Sequence, residues 1–156
     1  MTQSRAVISG MGIVSSIGRG LEDVWSSLRD AKSGICGRPD WAEFGLKSLV
    51  AGNVSAETYE QDFEKKELRF MPGAAVLAAE AMKDAIADAG LLPENVTDPS
   101  TGVVAGTGAG SSIIDAYEYG KRVAEKGARK LLPIYVPRTM GSSLPANLSS
   151  LFKIRG

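Results

Sequence analysis

Two short apolar segments that run into glycines constrain the fold of this chain more than any other feature. They are residues 5–12 and 101–106, and both contain β-branched side chains. Because neither alternates polar with apolar residues, each is predicted to be a strand buried in a sheet that helices cover on both faces. A parallel sheet needs several strands, yet only these two are convincing in 156 residues. We therefore expect the chain to be incomplete, or to fold against another chain.

Apolar residues at helical spacing predict helices around these strands, and strands with helices indicate an α/β protein. Residues 72–90 form the clearest helix, in which alanines would allow close approach to another backbone and Gly90 is predicted as the C-cap. Its polar stripe consists of Glu80, Lys83, Asp84 and Asp88. One amphipathic helix is predicted from Leu21, Val24, Trp25 and Leu28, with Gly34 marking its exit. Another is predicted from Leu144, Leu148, Leu151 and Phe152, and Ser142 or Ser143 would open it.

The rest of the chain is less regular. A short strand is predicted within residues 47–54, and residues 131–137 are predicted to be extended because they contain two prolines. Ser112 with Asp115 resembles a capping box, which would open a helix that runs to about Lys126.

Composition removes several kinds of chemistry. The chain has no histidine and one cysteine, which excludes a Ser-His-Asp triad, a Cys-His pair, zinc bound by histidine and internal disulfides. Its 18 basic and 18 acidic residues cancel, so the overall charge gives no reason to expect nucleic acid. No apolar stretch approaches the roughly 20 residues of a membrane span, and no signal peptide is recognised. We therefore predict a cytoplasmic protein without metal or cofactor.

Two glycine-rich turns and one thiol are the remaining candidates for a site. Gly10 and Gly12 with Ser15 resemble the start of a dinucleotide-binding fingerprint without its third glycine, so an independent nucleotide-binding module is one alternative. Residues 106–111 lack the lysine of a Walker A motif, and they either cradle phosphate or need glycine for close backbone approach. Cys36 has no base nearby in the sequence and is predicted to be a small, buried or half-buried thiol.

Six segments, taken in order, resemble one family. They are Arg5-Ala-Val-Ile-Ser-Gly-Met-Gly-Ile-Val-Ser-Ser-Ile-Gly18, Lys32-Ser-Gly-Ile35, Arg69-Phe-Met71, Ala85-Ile-Ala-Asp-Ala-Gly90, Gly102-Val-Val-Ala-Gly-Thr-Gly-Ala-Gly-Ser111 and Phe152-Lys-Ile-Arg-Gly156. No single segment is decisive, but the ordered set resembles the β-ketoacyl-acyl-carrier-protein synthases over essentially the whole chain. The likeness is greatest to the bacterial type I enzyme of fatty-acid synthesis, followed by type II.

The resemblance implies that residues 1–156 are the N-terminal part of a thiolase-like α/β fold, an incomplete half in which helices cover a mixed sheet. The family's catalytic cysteine follows a Lys-Ile-x-Gly stretch like that at residues 153–156, and its two catalytic histidines and lysine lie further on. No catalytic residue is therefore expected in this chain, and Cys36 does not match the nucleophile.

The implied parent activity is that of a 3-oxoacyl-acyl-carrier-protein synthase in fatty-acid biosynthesis. It is a decarboxylative Claisen condensation of an acyl thioester with malonyl-carrier protein, carried out by a homodimer. The alternative is a non-catalytic relative that lends pocket walls or carrier docking to another chain.

The resemblance also implies roles for residues of this chain. Gly108, Ala109, Gly110 and Ser111 match the wall of the acyl-chain pocket, and Ala109 replaces a glycine of the usual pattern. Met140 matches a residue that reaches the partner subunit's pocket, with core filling as its alternative. The residues expected to dock the acidic acyl carrier protein, unless they are only a solvated surface, are Lys65, Lys66, Arg69, Lys126, Arg129 and Lys130. No cofactor, metal, nucleic acid or membrane is implied.

Overall fold

The computed structural model describes residues 5–108 and 110–156, with side chains for all of these except residues 110–114. The chain divides into two compact units, one formed by Met1–Ser55 with Glu80–Gly90 and the other by Ala56–Ala79 with Leu91–Gly156. One long helix contributes its first half to the second unit and its second half to the first.

The first unit contains short strands and an amphipathic helix. Strand β1, Val14–Ser15, pairs with β2, Gly18–Arg19, in an antiparallel ladder. The elements that follow are helix α1 at Gly20–Arg29, strand β3 at Ile35–Gly37, a 3-10 helix at Pro39–Phe44 and strand β4 at Val50–Gly52. Strands β3 and β4 are antiparallel and place Cys36 opposite Ala51.

The second unit is helical. In chain order its elements are a 3-10 helix at Ala56–Asp62, α2 at Lys65–Leu68, the first half of α3 at Gly73–Asp88, α4 at Pro93–Val96, α5 at Gly110–Lys126, a 3-10 helix at Ala128–Lys130, α6 at Tyr135–Thr139 and α7 at Ser143–Phe152. Its buried apolar residues include Met71, Val76, Leu144, Leu148 and Ile154.

The helices predicted from apolar spacing are confirmed. Helix α7 buries Leu144 and Leu148 as expected. Helix α1 buries Val24, but the rest of its apolar pattern, Leu21, Trp25 and Leu28, is exposed. Gly90, two residues beyond α3, has a φ of 62°, which is the left-handed conformation typical of a helix C-terminus. Strand β4 lies within residues 47–54. Gly34 does not mark the exit of α1, because that helix ends at Arg29.

The two segments predicted as buried strands are not strands. Residues 5–13 and 101–108 join no ladder with the described residues, and Val7, Ile8 and Val104 are 81%, 83% and 105% exposed. The apolar, β-branched pattern is present, but a strand needs a neighbour that completes its backbone hydrogen bonds. No described segment supplies that neighbour, so the prediction that each segment is a buried strand is wrong for the described chain.

One prediction near the end of the chain is also wrong. Residues 131–137 are not extended throughout, because α6 begins at Tyr135. Pro137 lies in the first turn of α6, where a missing N–H removes no helical hydrogen bond. The predicted start of α7 is confirmed, because the helix begins at Ser143 with Ser142 at its N-cap position, although the Ser142 side chain makes no capping hydrogen bond.

Helix α5 begins earlier than predicted. Its first residue is Gly110 rather than a residue after Ser112, whose side chain lies outside the described residues. The carboxylate of Asp115, predicted to take part in a capping box, instead pairs with Arg138.

Gly10 and Gly12 let the N-terminal segment lie directly on α3 within the first unit. A Cβ atom added to Gly12 would come within 1.8 Å of the Ala81 carbonyl oxygen, and one added to Gly10 within 2.5 Å of the Ala85 carbonyl oxygen. The predicted close approach of this alanine-rich helix to another backbone is therefore confirmed, and the glycine pair has a packing role.

A buried carboxylate on α3 is neutralised inside the first unit. Glu80 belongs to the predicted polar stripe but is fully buried. Its Oε2 accepts a hydrogen bond from Arg19 Nη2 at 2.5 Å, and its Oε1 accepts one from Lys83 Nζ at 2.6 Å. Because an unpaired buried carboxylate is strongly destabilising, both cations stabilise the position of this helix.

Replacing Gly12 with alanine should destabilise the protein severely. The added methyl group would overlap the backbone of α3, so we expect the free energy of unfolding to fall by about 3 kcal/mol or more. The control is Gly106→Ala, since a Cβ there meets no atom within 4 Å, and its effect should stay within about 0.5 kcal/mol. Urea unfolding followed by circular dichroism measures both changes, and equal losses in the two variants would contradict the packing role.

Candidate functional site

Three of the basic residues predicted to dock a carrier protein lie on or next to the very short helix α2. Lys65 and Lys66 belong to the helix and Arg69 follows it, and all three are exposed. The helix start is stabilised by Glu67, whose Oε2 accepts the N–H of Glu64 at 2.9 Å. Lys66 Nζ lies 2.8 Å from Glu64 Oε2, and this contact raises the pKa of Lys66, which stays positively charged.

The carboxyl end of α2 is held by side chains from α6 and α7. Arg138 Nη1 donates to the carbonyl oxygens of Leu68 and Arg69 at 3.3 and 3.4 Å. Asn147 Nδ2 donates to the carbonyl oxygen of Phe70 at 3.1 Å. Two side chains from a distant part of the chain therefore bind three consecutive carbonyl groups.

Arg138 is itself oriented by a mostly buried carboxylate. Its Nε and Nη2 atoms both lie 3.0 Å from Asp115 Oδ1, and the side chains of Arg138 and Asp115 are only 23% and 12% exposed. A charge-assisted pair of this kind is stronger than a neutral hydrogen bond and fixes the plane of the guanidinium. The same guanidinium thereby links α5, α6 and the end of α2.

Aromatic contacts hold α6 against α5. Tyr119 and Tyr135 stack with ring centroids 3.7 Å apart and planes at 32°. The Tyr119 hydroxyl donates to the Tyr135 carbonyl oxygen at 3.3 Å, and Arg122 Nη1 donates to the Tyr135 hydroxyl. Burial and, after it, the nearby charge of Asp115 raise the pKa of Tyr119 to about 12.

The other basic residues predicted for docking lie where α5 ends. Lys126 is the last residue of α5, and Arg129 and Lys130 belong to the following 3-10 helix. Gly127 between them has a φ of 79°, which favours glycine at this turn. All three cations are exposed, and none pairs with an acidic side chain in the described part of the chain. Their docking role stays a prediction.

The predicted wall of the acyl pocket falls partly outside the described residues. Ala109 lies outside them, and so does the side chain of Ser111, which with Gly110 begins α5. Gly108 is exposed, and a Cβ added there or at Gly106 would meet no atom within 4 Å. Close backbone approach is therefore not the reason for these two glycines within the described chain.

Met140 connects α6 to α7 on the surface. Its carbonyl oxygen accepts the N–H of Ser143 at 3.0 Å, and the residue is 53% exposed. Core filling is thus the wrong interpretation here. The alternative, contact with a partner subunit, stays a prediction.

Cys36 is exposed, which corrects the prediction of a buried or half-buried thiol. It lies on the short β3–β4 ladder at the surface, where its Sγ donates to the Ala51 carbonyl oxygen at 3.3 Å. Within residues 5–108 and 110–156, no three or more histidine, cysteine, aspartate or glutamate side chains are grouped so that they could hold a metal ion. No helix in that part of the chain is long and apolar enough to cross a membrane.

Comparison with solved structures identifies the fold. The chain matches a beta-ketoacyl synthase from Burkholderia phymatum with a TM-score of 0.80 and 24% identity, over 96% of this chain and 37% of that one. It also matches a chain in the solved structure of a type II PKS acyl-carrier protein in complex with its ketosynthase bound to the hexaketide. This match has a TM-score of 0.70 and 24% identity, and it covers 95% of this chain and 35% of the matched chain. The predicted class, part of a thiolase-like α/β fold, is confirmed.

Sequence comparison identifies the family. Residues 3–156 match the family model of the beta-ketoacyl synthase N-terminal domain, and the chain belongs to this family. It is 40% identical over 152 residues to 3-oxoacyl-(acyl-carrier-protein) synthase 1 of Haemophilus influenzae, and 39% identical over 153 residues to the protein of that name from Escherichia coli K12. Each alignment covers 97% of this chain and 37% of the relative, so the chain spans little more than a third of their length.

Sequence reasoning missed the residues that hold α2 in place. Arg138 and Asn147 bind backbone carbonyl groups 69 to 77 positions away, and Asp115 lies 23 positions from Arg138. No local spacing or motif predicts such contacts, because every residue has a backbone carbonyl group and its residue type does not show which side chain binds it.

Replacing Tyr119 with phenylalanine should change how stability depends on pH. The pKa of Tyr119 is about 12 in the folded chain against its ordinary value of 10.0, so the unfolded chain loses this proton first. The raised pKa of Tyr119 contributes to the free energy of unfolding in full below about pH 10, and this contribution is lost as the pH rises through 12. Tyr119→Phe should therefore flatten the alkaline fall in urea-unfolding free energy.

The control for this variant is Tyr117→Phe, which removes a tyrosine that is 63% exposed on the same helix. We expect the control to keep the alkaline fall of the unmodified protein. Identical pH profiles for the two variants would show that Tyr119 does not account for it.

Proposed function

We propose that this chain is the N-terminal part of a 3-oxoacyl-(acyl-carrier-protein) synthase of fatty-acid biosynthesis. The observation that carries the proposal is 40% identity, over 97% of the chain, to a curated synthase 1.

We propose further that the whole protein is a cytoplasmic homodimer. An exposed, unbridged Cys36 fits a reducing compartment, and an exposed Met140 fits a contact between subunits.

The proposed reaction forms a carbon–carbon bond in two stages. An acyl group passes from its carrier thioester to a cysteine thiolate, and the carrier thiol leaves. Malonyl-carrier protein then loses carbon dioxide, and the resulting carbanion attacks the acyl thioester and releases the cysteine. The product is a 3-oxoacyl-carrier protein, and histidines stabilise the enolate oxygen. Since this chain has no histidine, we assign these chemical steps to residues outside its sequence.

This chain is proposed to contribute part of the acyl pocket. Gly108, Ala109, Gly110 and Ser111 would form a wall whose small side chains leave room for an alkyl chain. Met140 would extend into the pocket of the partner subunit, where its flexible thioether adapts to an apolar surface.

The chain is also proposed to dock the acyl carrier protein. The second unit carries two groups of exposed cations, one in and next to α2 and the other at and just after the end of α5. Both groups complement an acidic partner. The solved complex of a ketosynthase with an acyl-carrier protein supports the same kind of partner for this chain. Docking of this type should weaken as salt rises, because exposed charges are screened.

A second candidate is a non-catalytic docking protein related to ketosynthases. The observation that favours it is the absence of histidine from the sequence, together with a single cysteine on an exposed ladder. Such a protein would bind the carrier and supply pocket walls to another chain, without forming a bond itself.

Isolation of the native protein should distinguish the two candidates. For the synthase we expect intact mass spectrometry to find a polypeptide more than twice as long as this chain, since its relatives are covered over only 37% of their length. The same sample should form 3-oxoacyl-carrier product from acyl- and malonyl-carrier protein, and Cys36→Ser should leave the rate unchanged. A native 156-residue product that binds a carrier protein but forms no product would contradict the synthase and favour the docking protein.

Charge reversal should weaken carrier binding at either basic group. Lys65→Glu with Lys66→Glu, and separately Lys126→Glu with Lys130→Glu, should each raise the Kd for a holo-acyl carrier protein by roughly tenfold at low salt. Isothermal titration calorimetry at increasing salt should show that the difference from the unmodified protein shrinks.

The matched control is Lys32→Glu with Lys47→Glu, which changes the net charge equally through exposed lysines of the first unit. Its Kd should stay close to that of the unmodified protein. An equal loss of affinity in the control would mean that binding follows net charge alone and would remove the assigned docking surface.

A further inference from the structure

Two side chains that lie outside the docking residues hold the segment that carries three of them. We infer that Arg138 and Asn147 are positioning residues for carrier docking: by binding the carbonyl groups at the end of α2, they fix residues 65–69 in the arrangement that meets the carrier protein. The inference rests on the docking function proposed above. We call Arg138 and Asn147, with the carbonyl groups that they bind, the carbonyl clamp.

Helix α2 depends on contacts outside itself. It has four residues, and a single turn is too short to persist on its own backbone hydrogen bonds. Its final carbonyl groups also lack partners within the helix. The clamp supplies partners at Arg69 and Phe70 and a second partner at Leu68, whose carbonyl oxygen also accepts the N–H of Met71 at 3.2 Å. Contacts from α6 and α7 therefore help to set the conformation of the docking segment.

Both clamp residues are fixed at their own positions. Asp115 binds Arg138 through Nε and Nη2. The side-chain amide of Asn147 also donates to the carbonyl oxygen of Ser143 at 2.8 Å, on the helix that buries Leu144 and Leu148. The clamp therefore ties an exposed, charged segment to the buried part of the second unit.

This arrangement affects affinity without adding charge at the surface. Asn147 is neutral, and the charge of Arg138 is compensated by Asp115. A lysine that docks a partner already loses side-chain entropy on binding, and a loose helix beneath it would have to become ordered as well. Loss of the clamp should therefore weaken carrier binding while every docking cation remains.

The test is Asn147→Ala in the full chain, with a holo-acyl carrier protein as the probe. We expect the Kd to rise roughly three- to tenfold, and the amide protons of residues 66–71 to exchange faster with solvent than in the unmodified protein. Asn53→Ala, which removes an exposed asparagine of the first unit, should change neither quantity.

A double-mutant cycle distinguishes positioning from a general structural role. The reference chain for this cycle carries Lys65→Ala, Lys66→Ala and Arg69→Ala. These substitutions remove the docking cations from the segment that the clamp holds. Asn147→Ala should therefore have little further effect on the Kd in that chain, although it still lowers the melting temperature. If Asn147→Ala does not fold, Arg138→Lys replaces it, since one ammonium group keeps the pair with Asp115 but cannot also reach two carbonyl groups.

Each outcome supports or overturns the inference. An unchanged Kd in Asn147→Ala, or an equal loss with and without the docking cations, overturns the positioning role and leaves the docking proposal intact. An unmodified protein that does not bind the carrier overturns both. A loss of affinity that disappears when the cations are removed supports the inference.

Discussion

Close packing against α3 is the constraint on which the first unit depends. The backbone at Gly10 and Gly12 approaches this helix so closely that a methyl group would overlap its carbonyl groups. The same helix buries the carboxylate of Glu80, which is stable there because Arg19 and Lys83 neutralise it. Since α3 supplies residues to both compact units, a change that displaced it would disturb the core of each.

Residues 5–13 and 101–108 leave apolar side chains such as Val7, Ile8 and Val104 exposed because they join no sheet. Their side chains suit a buried sheet, but a strand is stable only when neighbours complete its hydrogen bonds. No strand in the described part of the chain does so.

The proposed docking surface combines two kinds of residue. Exposed cations such as Lys65 and Lys126 provide charge, which attracts an acidic partner over several ångströms. Half-buried residues such as Arg138 provide geometry, because a one-turn helix has no fixed position without them. The first kind is visible as a charged run in the sequence, whereas the second is visible only in the folded chain.

The sequence by itself determined the helices α1, α3 and α7, the family, and the exclusion of histidine chemistry. These follow from local spacing, ordered segments and composition, all of which can be read along the chain. Only the tertiary structure decided that Glu80 is buried, that Cys36 is exposed and that Arg138 binds the end of α2. Burial depends on all the residues that surround a side chain, and a hydrogen bond joins residues that lie as many as 77 positions apart, so neither can be read along the chain.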